Sequence, residues 1–267
     1  MDALASTGWL AREIGPAGAS PLPTLRVVDT RFYLDPSRRG RDAWRAGHIP
    51  GAIFLDMDED LSAPGGGRGL PAGRHPWPGE DKVAAVMGAA GIGPGVRVVA
   101  YDDNSGGSAA RLWYLLRAHG HDDVAVLDGG IAKWTAEGRP LSTEEPRVEA
   151  VRFAGRLRPG FVVTKDDMVR GQPGRLVLDA RAGERYRGEA EPIDPVAGRI
   201  PGAVNWPYGT EVPPGLTHAE EIVVYCGSGV TACVDLLELA RTGRPDAKLY
   251  PGSWSDWCGR GLPVERG

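Results

Sequence analysis

The 267-residue chain is written twice. Val27-Val28-Asp29-Thr30-Arg31, an apolar run closing on Asp-x-Arg, returns 150 residues later as Val177-Leu178-Asp179-Ala180-Arg181. Ala46-Gly47-His48-Ile49-Pro50-Gly51-Ala52-Ile53 returns at an offset of 151 as Ala197-Gly198-Arg199-Ile200-Pro201-Gly202-Ala203-Val204. Val98-Val99-Ala100-Tyr101-Asp102 and Ile222-Val223-Val224-Tyr225-Cys226 form a third pair at 124, and Trp134 with Pro140 recurs as Trp257 with Pro263 at 123. Matches in one register mark a duplicated unit, so the fold must be one that half of this chain can build, and build twice. We expect domains over 1–143 and 161–267, joined by 144–160, a stretch rich in Glu, Arg and Pro with no clear period. The fall in offset from 151 to 124 puts 27 extra residues into the first copy. This insert carries Ser62-Ala63-Pro64-Gly65-Gly66-Gly67-Arg68-Gly69 and His75-Pro76-Trp77-Pro78, and it is too long to be mere connection, which makes it a candidate lid.

Within each copy, short β-branched runs alternate with helical spacing. Leu25 to Asp29, Val96 to Tyr101, Val124 to Leu127, Leu176 to Asp179, Ile222 to Tyr225 and Lys248 to Tyr250 read as buried strands. Asp81 to Ala90, Ala109 to Ala118 and Thr231 to Thr242 read as helices. This alternation predicts an α/β fold, each copy a mainly parallel sheet with helices on both faces. With 42% hydrophobic and 25% charged residues the composition is that of a globular protein. A net charge of -4 without a basic run excludes tracking of a nucleic-acid backbone. No signal-peptide pattern and no stretch of ~20 apolar residues is present, so the reading is a soluble, cytoplasmic protein with no membrane partner.

The chemistry gathers on one turn. A strand runs directly into Cys226-Gly227-Ser228-Gly229-Val230-Thr231-Ala232, and a helix follows. Such a turn points several backbone N–H groups into one hollow, and the helix dipole adds partial positive charge. That environment lowers a thiol pKa from its free value of ~8.5 and makes a nucleophile at neutral pH. Cys233, at core spacing in the helix, and Cys258, beside Trp257, read as buried thiols, and the odd number of cysteines argues against a disulfide framework. His119, His121 and His218 have no metal-ligand spacing, so no metal and no organic cofactor is expected. Cysteine phosphatases also hold an anion at a strand-to-helix turn, but they need Arg six residues after the nucleophile, where this chain has Ala232. A non-catalytic binding module is the remaining alternative, and the intact Cys226 loop argues against it.

Asp-x-Arg, the Ile-Pro-Gly-Ala turn, Cys-Gly-Ser-Gly-Val-Thr-Ala and the closing Gly252-Ser253-Trp254-Ser255-Asp256-Trp257 resemble the two-domain rhodanese-type sulfurtransferases over nearly the whole chain. The loop is most similar to that of the 3-mercaptopyruvate sulfurtransferases, because thiosulfate-using members carry basic residues where this chain has Gly227 and Ser228. The resemblance implies two tandem rhodanese-like domains, the first a non-catalytic copy with Asp102 at the cysteine position. It also implies transfer of a sulfane sulfur from a small anionic donor through a Cys226 persulfide to a thiol, a thioredoxin-like protein or cyanide. Backbone N–H groups of Gly227, Ser228, Gly229, Val230 and Thr231 would hold the added charge. Arg185 falls at a substrate-binding position, a second family arginine is replaced by Ile193, and Arg187 or Arg181 is left to take its place, although Arg181 more naturally pairs with Asp179. Ser228, His75 and Asp58 match a Ser-His-Asp relay, with Asp56 as the rival carboxylate. His48, replaced by Arg199 in the second copy, reads as structural. Thiosulfate stays open as the alternative donor.

Overall fold

A computed structural model describes residues 1–15, 24–103, 106–213 and 215–267. The chain forms two units, Met1–Leu61 with Pro78–Leu157, and Ser62–Trp77 with Arg158–Gly267. The first contains β1 (Leu4–Ala5), α1 (Thr7–Ile14), β2 (Leu25–Asp29), α2 (Gly40–Ala46), β3 (Ile53–Phe54), α3 (Glu80–Ala89), β4 (Arg97–Tyr101), α4 (Gly107–Ala118), β5 (Val124–Leu127) and α5 (Gly130–Ala136). The second contains α6 (Lys165–Arg170), β6 (Arg175–Asp179), α7 (Gly183–Arg187), β7 (Val204–Asn205), β8 (Glu221–Tyr225), α8 (Ala232–Arg241), β9 (Lys248–Leu249) and α9 (Ser253–Gly259). The sheets run β1-β5-β4-β2-β3 and β7-β6-β8-β9, and the pairings within them are parallel. Every residue of β2, β5 and β8 is buried, so both faces of each central strand are covered, as parallel sheets require.

The six expected strands and three expected helices all form, with ends displaced by no more than two residues. Unforeseen are the two-residue strands β1, β3 and β7 and the short helices α1, α2, α5, α6, α7 and α9, too brief for an apolar period to stand out; Ser6 caps α1 by accepting from the Trp9 N–H at 3.1 Å. The units also divide the chain differently from the repeat. Residues 144–157 pack on the first unit, where the Val151 N–H donates to the Gly88 carbonyl (2.9 Å) and the Leu157 N–H to Glu80 Oε1 (2.9 Å). Ser62–Trp77 belongs to the second unit although it interrupts the first copy. Among the described residues no helix is long and apolar enough to cross a membrane.

The repeated motifs occupy matching places. In the first unit Arg31 lies against Asp29 (Nη2 to Oδ2, 2.6 Å) and donates to the Gly47 carbonyl (2.8 Å), while the Tyr101 hydroxyl accepts from the Ile49 N–H at 3.1 Å. In the second, Arg181 lies against Asp179 (2.6 Å) and donates to the Gly198 carbonyl (2.7 Å). Tyr225 donates to Asp179 Oδ2 (2.6 Å) and accepts from the Ile200 N–H (3.2 Å). Each latch ties two strand ends to the Ile-Pro-Gly turn. The indoles of Trp134 and Trp257 likewise donate to the carbonyls of Pro140 (2.8 Å) and Pro263 (2.7 Å). His48 stacks on Trp44 at 4.7 Å and bonds the Trp44 carbonyl at 2.8 Å, a packing role in the first unit.

Asp179 is fully buried, so removal of its partner leaves an uncompensated interior charge. Arg181→Met should lower the stability of the second unit by about 3–5 kcal/mol. Urea titration of the purified protein, compared with the wild type, checks this value.

Candidate active site

Tyr225 ends β8 and places Cys226 at the C-terminal edge of the second sheet. Behind it, the loop is fixed by the start of α9: Trp254 and Ser255 N–H groups donate to the carbonyls of Cys226 (3.0 Å) and Gly227 (2.9 Å). Those carbonyls are thereby occupied away from the sulfur. The Ser253 hydroxyl accepts from the Cys226 N–H (3.1 Å) and donates to the Tyr250 carbonyl (3.0 Å). Ser253 does this from a left-handed backbone, φ 55°, a conformation that costs a residue with a Cβ roughly 1–2 kcal/mol. In the first copy the matching residue is Gly130, φ 54°, where a Cβ would stand 2.2 Å from the Asp102 carbonyl oxygen.

The front of the loop is a cradle for the sulfur. Gly229 donates its N–H to Sγ at 3.2 Å, and a side chain there would collide with the Pro251 carbonyl 2.4 Å away. Burial of Cys226 opposes ionisation, but the Thr231 hydroxyl and the N–H groups of Ala232, Ser228 and Gly229 more than offset it, and the thiol sits below its ordinary range. Thr231 immediately precedes α8, yet its side chain makes no capping bond to that helix, because its hydroxyl serves the sulfur. The Val230 carbonyl accepts the Cys233 N–H at 3.0 Å, which holds the first turn into α8. Cys258 is pushed up to about 11 by burial and by Asp194 and Glu191, and Cys233 is buried against the Gly229 carbonyl (3.4 Å). Cys226 is therefore the thiol prepared to react.

The first copy shows the same cradle occupied by an oxygen anion. Asp102 stands at the cysteine position, with Oδ1 accepting the Gly106 N–H (3.0 Å) and Oδ2 accepting Ser108 N–H (3.0 Å), Ser108 hydroxyl (2.9 Å) and Ala109 N–H (3.0 Å). A loop of this shape thus holds negative charge on four donors.

Around Cys226 the remaining groups come from two segments of the second unit. His75 Nδ1 lies 2.8 Å from Ser228 Oγ, and both side chains are buried. Arg185 donates to Glu191 from Nε (3.1 Å) and Nη2 (2.6 Å), and its Nη2 lies 3.4 Å from Asp194. Arg187 does not join this group. Its guanidinium is about half exposed and pairs with Glu189 at 2.7 Å, on the outside of α7. Arg181, the other substitute considered, is committed to Asp179 and to Glu191 (3.2 Å). Asp58 belongs to the first unit, as does Asp56, whose Oδ1 accepts the N–H groups of Asp58 (2.9 Å) and Glu59 (3.1 Å) and so caps a turn. Three residues at the site had no role read from the sequence. Arg74 reaches Gly227, Ser253 holds the Cys226 backbone, and Asp235 is a buried carboxyl in α8 whose Oδ2 has no hydrogen-bond partner. Burial, Cys226 and Asp179 all push the Asp235 pKa well up, which disfavours a second negative charge near the sulfur.

A family model described as Rhodanese-like domain matches residues 8–137 and again 165–260. A Pseudomonas aeruginosa protein named "Probable 3-mercaptopyruvate sulfurtransferase" is 42% identical over 256 residues, covering 88% of this chain and 89% of the relative. The thiosulfate sulfurtransferase of Rattus norvegicus is 33% identical over 292 residues, covering 99% and 94%. Among solved structures, the 3-mercaptopyruvate sulfurtransferase SseA from Escherichia coli superposes with a TM-score of 0.77 at 29% identity, covering 95% of this chain and 99% of that one.

The cradle has a direct chemical readout. The rate of Cys226 alkylation by iodoacetamide should rise with pH through an inflection below the free-thiol value of ~8.5. Thr231→Val should move that inflection upward, because it removes a donor to the thiolate. Asp235→Asn should leave it in place, since the amide, like the protonated carboxyl that burial favours, puts no negative charge near the sulfur. An upward move in Asp235→Asn, or none in Thr231→Val, would contradict the account.

Proposed function

Because the chain belongs to the rhodanese-like family, built twice along its length, we propose that it is a sulfurtransferase that moves the sulfur of 3-mercaptopyruvate through a Cys226 persulfide to a thiol acceptor. The observation that carries this reading is the convergence of N–H and hydroxyl donors on Cys226 Sγ beside the buried His75–Ser228 pair. The Cys226 thiolate attacks the donor sulfur, a new S–S bond forms and the donor's C–S bond breaks. The electron pair of that bond goes to the methylene carbon, giving the enolate of pyruvate. Ser228, bonded to His75, is placed to pass a proton to this carbon, and His75 replaces it. The outer sulfur of the persulfide keeps its negative charge in the cradle of N–H groups. An acceptor thiolate then attacks the outer sulfur and leaves with it as a persulfide, restoring the Cys226 thiolate. With cyanide as acceptor the product is thiocyanate.

Arg185 supplies cationic N–H groups for the donor carboxylate. The acceptor we favour is a thioredoxin-like protein or a small thiol. The compartment we favour is the cytoplasm, in keeping with three cysteines that are all unbridged thiols. A second donor, thiosulfate, is supported by the relative of that name and by Ile193, which supplies no charge where the family resemblance led us to expect an arginine. Gly227 and Ser228, in place of basic residues, favour mercaptopyruvate.

Side-by-side kcat/KM values for the two donors decide between them, and mercaptopyruvate is expected to be the better. Cys226→Ser should abolish transfer from either, because a hydroxyl carries no persulfide. Ser228→Ala and His75→Ala should each lower mercaptopyruvate turnover by about 100-fold and thiosulfate turnover much less, since only the first leaving group needs a proton on carbon. Equal losses on both donors would remove the relay from the mechanism.

A further inference from the structure

We infer that Arg74, on the insert, is the second arm of a carboxylate clamp whose first arm is Arg185, and that it replaces the arginine missing at position 193. The inference rests on the reading of the donor as a 2-oxo carboxylate. The insert aims Arg74 through bonds to α9: the Ala72 N–H donates to Asp256 Oδ1 (2.7 Å) and the Arg74 N–H to Ser255 Oγ (3.1 Å). Ala72 itself takes a left-handed backbone, φ 82°, to make the turn into this segment.

The guanidinium is nine-tenths buried, and Nη1 is ion-paired with Asp194, whose carboxylate is wholly buried. Asp194 also faces Arg185 from its other oxygen. One carboxylate therefore holds both guanidinium groups at one place. Glu191 completes the support by bonding Arg185 and by accepting the N–H groups of Ile193 and Asp194 at 3.1 Å each, which folds the 191–194 turn.

Both cations are tied at one end, and their other ends converge. Arg74 Nη2 lies 2.6 Å, and Arg185 Nη2 and Nη1 lie 3.5 and 3.6 Å, from the point where a Cβ of Gly227 would stand. Arg74 Nη2 and Arg185 Nη1 make no hydrogen bond among the described residues, and the Arg74 Nε is buried without a partner. Two N–H-bearing groups left open beside Cys226 match the two oxygens of a carboxylate. Gly227 is thereby explained as well: any side chain at that position would occupy the space of the Arg74 fork.

The pair bromopyruvate and bromoacetone tests the clamp without turnover, because both alkylate a thiolate through a carbon beside a ketone and only the first has a carboxylate. Wild-type Cys226 should react faster with bromopyruvate, and Arg74→Gln should cut the bromopyruvate-to-bromoacetone rate ratio about tenfold or more. Arg74→Lys keeps a charge for Asp194 but lacks the second nitrogen, and it should lose most of the ratio too. Its bromoacetone rate reports whether the loop is intact if Arg74→Gln folds poorly. In Arg74→Gln the KM for 3-mercaptopyruvate should rise about tenfold with kcat little changed, and adding Ile193→Arg should restore it. A wild type with no preference for bromopyruvate, or a folded Arg74→Lys with the full wild-type ratio, overturns the clamp. Failure of the wild type to turn over mercaptopyruvate overturns instead the donor reading, leaving the alkylation ratio to speak for Arg74.

Discussion

The position of Cys226 depends on a buried ion pair bonded to the residue before it. Asp179 ends β6, Tyr225 ends β8, and Arg181 spans from Asp179 to the Gly198 carbonyl of the Ile-Pro-Gly turn. A carboxylate with no exposure is tolerable there only because a bidentate guanidinium and a phenol satisfy it. Once those bonds form, Tyr225 cannot shift along the strand, and Cys226 follows it directly. The loop beyond has little freedom left: α9 takes its carbonyls from behind, and the sulfur takes the N–H groups in front.

The duplication lets the two outcomes of one loop be compared inside one chain. The first copy carries a carboxylate that satisfies its own cradle, so no external atom is needed there. In the second copy a single sulfur occupies the cradle, and its ionisation is favoured because the donors already point at it. The accompanying change from Gly130 to Ser253 is consistent with this division. A glycine suffices to clear the Asp102 carbonyl, whereas a hydroxyl at the same left-handed position bonds the nucleophile's own N–H. Ser253 thus exchanges backbone ease for control of the reacting residue.

Much of this was readable from residue order alone. Buried strands and helices of ordinary length announce themselves through apolar period, and the duplicated motifs named the latch residues Asp179, Arg181 and Tyr225 before any contact was known. Cys226 was legible because strand, glycines and helix stand next to one another in the chain. Arg74, Asp194 and Asp235 were not, because their meaning depends on distance in space: Arg74 is 120 residues from the carboxylate that holds it, and an arginine in a glycine-rich loop looks like any solvated charge. Arg187 illustrates the converse. Two residues from Arg185 on the short helix α7, it points away and pairs with Glu189, since residues two apart on a helix do not share a face.

Helix α9 connects groups that have separate chemical duties. Its first N–H groups hold the carbonyls of Cys226 and Gly227, Ser253 holds the Cys226 N–H, and Ser255 and Asp256 hold the backbone of Arg74 and Ala72 just ahead of His75. Cys226, His75 and Arg74 are therefore hung from a single seven-residue peg. Because the same helix buries Trp254 and Trp257 against β8 in the core of the second unit, the geometry of all three is tied to the packing of that core rather than to a separate surface element.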